Sequence, residues 1–152
     1  ILPHLIYCIP IWGRTYKKYA VHLTLLQKRA IRIMTHSHHL AHTSELFTKF
    51  KILTMNQLYM YHSTIFAVKV YQSVMPDIII QTFIDSPSNH SYYTRISKDK
   101  GITFRKLTIS KFGLKYNMPR LWNTLPCEMK LNSLSIMVFK NELKKRLINN
   151  VL

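Results

Sequence analysis

The apolar residues between positions 16 and 34 recur at steps of four, three, four and three along the chain. This spacing places their side chains along one side of an α-helix. The members of this apolar row are Tyr19, Leu23, Leu26, Ala30 and Ile33. The sequence therefore predicts an amphipathic helix between Tyr16 and Met34 that packs through the apolar row.

A second row of side chains runs beside the apolar row and is mainly basic. Its members are Lys18, His22, Leu25, Arg29 and Arg32. Such a row is either a solvated helix face or a surface that binds a polyanion, and the spacing alone does not distinguish the two. Lys28 adds a further cation to the same helix.

Two more helices are predicted before residue 84. Thr54, followed three residues later by Gln57, forms a capping-box pattern that marks a helix start. The apolar stripe of this helix consists of Leu58, Tyr61, Ile65, Val68 and Met75, so the helix is predicted to extend from Thr54 to Met75. A short helix from Ser44 to Phe50, capped by Ser44, is predicted to precede it.

The end of the chain predicts a further amphipathic helix. Either Ser133 or Ser135 can cap it, and Glu142 can pair with Arg146 one turn later. The predicted buried side consists of Ile136, Phe139, Leu143 and Leu147, and the basic side of Lys140, Lys144, Lys145 and Arg146. A helix with one buried and one basic side is therefore expected here.

The stretch between these helices divides the chain into three regions. Residues 85–101 are polar and rich in turn-forming residues, which predicts a loop or linker. Beyond it, Ile102, Phe104, Leu107 and Ile109 alternate weakly with polar residues, which allows a short strand. The predicted fold is mainly α: a small helical bundle over residues 1–84, the linker, and a basic, loop-rich extension over residues 102–152.

The balance of charge points to a polyanionic partner. Twenty-two Lys and Arg residues stand against six Asp and Glu residues, which gives a formal charge of +16, and Glu45 is the first carboxylate in the chain. Distributed cations bind nucleic-acid backbones by releasing counterions, without base-specific contacts. The predicted partner is nucleic acid, and RNA, DNA and a hybrid duplex all stay open.

The composition argues against an autonomous enzyme. The six carboxylates are scattered singly, so the sequence predicts no paired-carboxylate metal site for phosphoryl transfer. A chain with three glycines and no GxSxG motif has neither a glycine-rich phosphate loop nor a nucleophile elbow. We therefore expect no catalytic residue and no cofactor in this chain.

The cysteines and the first residues of the chain indicate its cellular compartment and its place in a longer reading frame. Cys8 and Cys127 form no CxxC motif and no disulfide framework, which favours a reducing compartment, nucleus or cytoplasm. The apolar opening from Ile1 to Trp12 contains two prolines and is shorter than about 18 residues, so no membrane segment is predicted. Because the chain begins with Ile, we expect an N-terminal neighbour in a longer reading frame.

Four histidines lie within seven residues, at His36, His38, His39 and His42. Imidazole is a frequent zinc ligand, so a metal site is one interpretation. No cysteine lies near them, and histidines are well tolerated at the end of a helix, which is the preferred interpretation. We predict that these histidines bind zinc weakly or not at all.

Aromatic residues lie beside cations in two segments, a pairing that stacks bases and holds phosphates. The first contains Tyr92, Tyr93 and Arg95 in a polar stretch, which favours exposure. The second runs from Lys115 to Trp122, where core packing is the preferred interpretation for the rings of Tyr116 and Trp122.

A series of motifs resembles the reverse transcriptases of non-LTR retrotransposons (LINEs), including jockey-like elements. The early motifs are similar to the thumb that follows the catalytic palm: Ile1-Leu-Pro-His-Leu-Ile-Tyr7, Ile11-Trp12-Gly13 and Leu26-Gln-Lys-Arg-Ala-Ile-Arg32. The later motifs look like the C-terminal extension of that family: Ala41-His42-Thr43 with Leu46-Phe47, Ile52-Leu53, Leu58-Tyr59, His90-Ser-Tyr92 with Thr94-Arg95, the segment from Pro119 to Pro126, Phe139-Lys140 and Leu143-Lys-Lys145. The order and spacing of the motifs carry the resemblance, which covers almost the whole chain.

The resemblance implies a role for the chain within an RNA-directed DNA polymerase. The acidic catalytic motif of that family lies in the palm, upstream of this segment, so the chain is expected to be non-catalytic. A thumb packs on the primer–template duplex, which places Lys28, Arg29 and Arg32 on the thumb helix. The palm and fingers of the same polyprotein are the second implied partner, and Trp12 and Trp122 are expected to serve packing.

Two residues depart from the family pattern. Cys8 stands where glycine is frequent, and Pro10 enters a usually helical stretch, where an interior proline costs about 3 kcal/mol. Two alternatives to nucleic-acid binding stay open: a basic helical module for protein–protein interaction, and a decayed element remnant without selected activity. The residues predicted to contact nucleic acid are Lys18, Lys28, Arg29, Arg32, Tyr92, Tyr93 and Arg95.

Overall fold

The computed structural model describes residues 2–84, 106–131 and 135–149. Within these ranges the chain forms ten α-helices and no strand. The helices are α1 (Leu2–Ile6), α2 (Ile9–Trp12), α3 (Lys17–Met34), α4 (Ser44–Lys49), α5 (Met55–Tyr71), α6 (Asp77–Ile84), α7 (Thr108–Phe112), α8 (Leu114–Thr124), α9 (Cys127–Leu131) and α10 (Ile136–Ile148). The predicted mainly helical fold is confirmed, and the predicted loop over residues 85–101 lies outside the described residues.

Helix α5 lies at the centre of the fold. The predicted capping box is confirmed, because the backbone N–H of Thr54 donates to Oε1 of Gln57 at 2.9 Å. Buried residues lie on every side of the helix, at Met55, Leu58, Tyr59, Ser63, Thr64, Ile65, Ala67, Val68 and Val70. Helices α2, α3, α6, α8 and α10 all pack against α5, so the described parts of the predicted regions 1–84 and 102–152 share one core.

Helix α5 ends at Tyr71, earlier than the predicted Met75. Ser73 has a φ of 56°, and its backbone N–H donates to the carbonyl oxygen of Val70. The N–H of Val74 donates to the carbonyl oxygen of Lys69. These two bonds form the Schellman motif, which closes a helix through one left-handed residue.

Helix α10 confirms the prediction for the end of the chain. Ser135 is the cap, since its hydroxyl accepts a hydrogen bond from the N–H of Met137 at 3.4 Å. Phe139, Leu143 and Leu147 are buried in the core around α5, whereas Ile136, which was predicted on the same side, is half-buried. The predicted ion pair is present, with Nε of Arg146 at 2.9 Å from Oε1 of Glu142.

Three local predictions differ from the structure. The stretch proposed as a short strand is helical from residue 108 onward, because α7 runs from Thr108 to Phe112 next to α8; residues 102–105 lie outside the described ranges. Helix α4 ends at Lys49 rather than Phe50. Thr43 rather than Ser44 holds its N-cap position, and it makes no capping bond through its side chain.

Helix α3 is rotated relative to the prediction. In the apolar row, Tyr19 is 58% exposed, Leu26 59% and Ile33 74%, so this row is not the packing face. Ile31, only 1% exposed, lies on the buried side instead, and Nε2 of Gln27 donates to the carbonyl oxygen of Leu53 at 2.8 Å. This bond joins α3 to the segment before α5 and sets which side of α3 faces the core.

The start of the chain accommodates Pro10 without breaking a helix. Helix α1 ends at Ile6, and Pro10 lies in the first turn of α2, where a proline removes no helical hydrogen bond. The break falls at Cys8, whose φ of 49° lies in the left-handed region that favours glycine. The expected cost of an interior proline therefore does not arise at Pro10.

Gly13 permits close contact between the end of α2 and α5. A Cβ atom at this position would lie 2.6 Å from the carbonyl oxygen of Ile9 and 2.7 Å from Cδ2 of Tyr59. We expect Gly13→Ala to lower the free energy of unfolding by about 1–3 kcal/mol through overpacking, measured by urea denaturation. Gly113→Ala is the control, because its nearest contact would be 3.3 Å; equal stability of the Gly13 variant and the native chain would contradict the prediction.

Candidate nucleic-acid interface

The basic row predicted on α3 lies on the solvent side of the helix. Lys18, His22, Leu25 and Arg29 are exposed, and Lys28 and Arg32 are half-buried. The row faces outward because Gln27 and Ile31, on the opposite side, hold the helix against the core. The structure therefore brings Lys18, His22 and Arg29 together on one accessible surface.

The cations of this surface have no acidic partners among the described residues. The ion pairs of the described residues join Arg146 to Glu128 and Glu142, at the other end of the chain. None of Lys18, Lys28 and Arg29 forms an ion pair with a described carboxylate. Their charges are therefore available to an external anion.

Arg32 has a structural bond as well as its predicted role. Its Nε donates to the carbonyl oxygen of Ala41 at 3.0 Å, which ties the segment after α3 back onto the helix. A guanidinium carries five N–H donors, so one such bond leaves donors for a phosphate. Substituting Arg32 would disturb this segment, which makes the residue a poor probe of binding.

A groove beside Lys28 adds hydrogen-bonding groups that the sequence did not predict. It has a volume of about 260 Å³ and is lined by Thr24, Gln27, Lys28, His42, Thr43, Ser44, Phe47 and Thr54. The hydroxyls of Thr24 and Thr54 already donate within the protein, to Ala20 and Gln57. The ammonium group of Lys28 and the hydroxyls of Thr43 and Ser44 can together hold a phosphate oxygen. No local sequence pattern marks this groove, because its walls come from α3, the start of α4 and the residue before α5.

The four clustered histidines occupy different environments. His36 has a φ of 49° and closes α3, since its N–H donates to the carbonyl oxygen of Ile33. His38 and His39 contact each other, with ring centroids 4.2 Å apart, and His42 lines the groove. Within the described ranges no three His, Cys, Asp or Glu side chains are placed to hold a metal ion; weak or absent zinc binding stays a prediction.

Of the two predicted aromatic–cation segments, the structure describes the one from Lys115 to Trp122, in which Tyr116 is half-buried. Tyr92, Tyr93 and Arg95 lie outside the described residues. The guanidinium of Arg120 lies 4.9 Å from the ring centroid of Tyr116, a cation–π geometry. Trp122 is buried, which confirms core packing for this ring.

The rings around α5 serve the core. Trp122 meets Tyr71 edge-on, with centroids 5.0 Å apart, and burial raises the pKa of Tyr71 to about 12. Trp12 packs against the same core and donates from Nε1 to the carbonyl oxygen of Tyr7 at 2.6 Å, which confirms its packing role. Burial, followed by the charge of Lys140, lowers the pKa of His62. Both pKa shifts favour the uncharged form, so the side chains of Tyr71 and His62 do not add positive charge to the basic surface at neutral pH.

A buried polar cluster joins the end of α2 to α5 and α8. Asn117 is fully buried; its Oδ1 accepts from Nη1 of Arg14, and its Nδ2 donates to the carbonyl oxygens of Lys111 and Gly113 at 2.9 Å. Burial raises the pKa of the neighbouring Tyr59, and Ser63 and Arg14 oppose that rise. The cluster is structural, because its hydrogen bonds connect helices rather than a nucleophile and a base.

Comparison of the chain with protein-family models, with curated proteins and with solved structures found no match. Over residues 2–84, 106–131 and 135–149, no helix combines the length and the apolar character needed to cross a lipid bilayer. The geometry of α3 and its groove is therefore the basis for assigning a function.

Proposed function

We propose that this chain binds nucleic acid through its sugar–phosphate backbone and performs no catalysis of its own. The main observation in support is that Lys18, Lys28 and Arg29 lie on one helix and form no ion pair with a described carboxylate. Backbone phosphates complement such a surface, since each contact releases condensed counterions. The formal charge of +16 strengthens the attraction at long range.

We propose further that the chain is the thumb and post-thumb part of a non-LTR retrotransposon reverse transcriptase. The order of its motifs supports this assignment, and the backbone at Cys8 adds support. The resemblance leads one to expect glycine there, and the φ of 49° is one that glycine adopts freely. In this assignment α3 is the thumb helix, and the upstream palm supplies the catalytic carboxylates.

The proposal is tested by the salt dependence of duplex binding. We expect the native chain to bind a labelled DNA duplex and a matched DNA–RNA hybrid with little sequence preference and with affinity that falls steeply with salt. The double variant Lys28→Gln and Arg29→Gln should weaken binding. It should also flatten the slope of log K against log salt by up to about 1.8 for B-form DNA, because each neutralised phosphate contributes about 0.9.

Lys144→Gln and Lys145→Gln provide the matched control. These two residues are also adjacent, exposed and on a helix, and the double variant removes the same charge. The control should change the slope much less, and circular dichroism should give equal helix content for both variants. If the α3 pair left affinity and slope unaltered while the α10 pair abolished both, the interface would have to be moved to α10.

A further inference from the structure

Part of the apolar row of α3 has no partner within the described residues. Tyr19, Leu26 and Ile33 are each more than half exposed. They lie seven residues apart, so they follow one another along the same side of the helix over about 21 Å. We call these three residues the exposed strip.

The spacing of the exposed strip is that of a helix–helix seam. With Leu23 and Ala30 between its members, the row follows the 4–3 alternation of the a and d positions of a coiled coil. Leu23 and Ala30 are half-buried, so they form the edge where the row meets the body of the protein. A second helix laid along this edge would cover all three members of the strip.

The charge beside the exposed strip indicates which kind of partner helix would bind there. In the heptad register that places Leu26 at d, His22 and Arg29 both hold g positions, and both are exposed. The opposite flank contains Ala20 and Gln27 and turns toward the rest of the chain, where Gln27 is bonded to Leu53. The accessible flank is therefore basic, and acidic residues on a partner helix would complement it.

The same charges disfavour the other occupants. A second copy would offer only its own basic flank and would set Arg29 against like charge, because no Asp or Glu precedes Glu45. A nucleic-acid backbone would neutralise Arg29 but would leave Leu26 and Ile33 without apolar contacts. We infer that the exposed strip and its basic flank form a docking site for an acidic amphipathic helix of another protein.

The inference does not require nucleic-acid binding, although His22 and Arg29 belong to both surfaces, and it is tested with a designed peptide. The probe is a labelled helical peptide of about three heptads, with Ile at a, Leu at d and Glu at e and g. A second peptide with Lys in place of each Glu tests the charge requirement. The full chain is titrated against each peptide, and binding is followed by fluorescence anisotropy.

We expect the acidic peptide to bind and the Lys peptide to bind at least about tenfold more weakly. Leu26→Gln with Ile33→Gln should reduce binding of the acidic peptide by about tenfold or more, because two apolar contacts are lost. The matched control is Val21→Gln with Leu25→Gln, a pair of similarly exposed apolar residues on the same helix but off the strip. The control should stay within about twofold of the native chain.

Five results would overturn the inference. The native chain could fail to bind the acidic peptide, or the Lys peptide could bind as tightly. The Val21 and Leu25 pair could weaken binding as much as the Leu26 and Ile33 pair. Sedimentation could reveal a dimer of the native chain that the strip variant dissociates, and the occupant would then be a second copy. Finally, the strip variant could weaken duplex binding as strongly as peptide binding, and the occupant would then be nucleic acid.

Discussion

Replacing Phe139 by alanine is expected to lower the free energy of unfolding by about 3–5 kcal/mol, because the change deletes a buried aromatic ring and leaves a cavity. Phe139 is 3% exposed and belongs to the core cluster that α10 forms with α5 and α8. Such a loss is a large part of the total stability of a small domain. Urea denaturation followed by far-UV circular dichroism measures it.

Met137→Ala is the control for this prediction. Met137 lies on the same helix and is 65% exposed, so its truncation should change stability by no more than about 0.5 kcal/mol. The core is shared, so the Phe139 variant should also unfold α3 and α5 in the same transition. An early, separate loss of α10 that left the rest of the chain at native stability would contradict a single core.

The parts of the fold that local signals determine were predictable from the sequence. The capping box of Thr54 and Gln57, the cap at Ser135 and the pair of Glu142 with Arg146 all act within one turn of a helix. Each interaction joins residues that are close along the chain, so the pattern of residue types is sufficient to find it. Local patterns of the same kind predicted the mainly helical fold class.

The orientation of α3 could not be predicted in this way. A row of apolar residues usually marks the buried side of a helix, but here the bond from Gln27 to Leu53, 26 residues away, fixes a different side. A polar residue facing the core is invisible to a periodicity argument. The groove beside Lys28 was missed because its walls come from residues that are distant along the chain, such as Lys28, His42 and Thr54.

Helix ends were difficult for a related reason. Helices α3, α4 and α5 are followed by His36, Lys51 and Ser73, each with a positive φ. Glycine is the usual residue at this position and the usual sequence signal for it. Without glycine the sequence carries no such mark for α4 and α5, which explains why their predicted ends were too late, whereas the predicted end of α3 at Met34 is the observed one.

The basic and apolar rows of α3 correspond to two function classes that the sequence left open, nucleic-acid binding and protein–protein interaction. The basic row suits a phosphate backbone, and the exposed strip suits a helix with acidic flanks. Arg29 borders both surfaces, so a duplex and an acidic helix would compete for its charge. Binding of one ligand in the presence of the other would therefore report how far the two surfaces overlap.

Replacing Asn117 by alanine is expected to lower the free energy of unfolding by about 2–4 kcal/mol, because the change removes a fully buried side chain together with its three hydrogen bonds. The variant would leave the carbonyl oxygens of Lys111 and Gly113 and the guanidinium of Arg14 without the bonds that Asn117 makes. These bonds join Arg14, after the end of α2, to α8, and join α8 to Lys111 in α7 and to Gly113 between the two helices. Thermal and urea denaturation of the variant and the native chain measure the loss.

Tyr59→Phe is the matched control in the same cluster. The hydroxyl of Tyr59 is buried beside Ser63 and Arg14 but makes no well-formed hydrogen bond to a described residue, so its removal takes away a polar group that burial already penalises. We expect this variant to be as stable as the native chain or slightly more stable. Asn117 makes its bonds in the folded state and Tyr59 does not, so the two variants should differ by at least about 2 kcal/mol. Equal losses in the two would mean that the hydroxyl is bonded through water and that the cluster, rather than Asn117 alone, connects the helices.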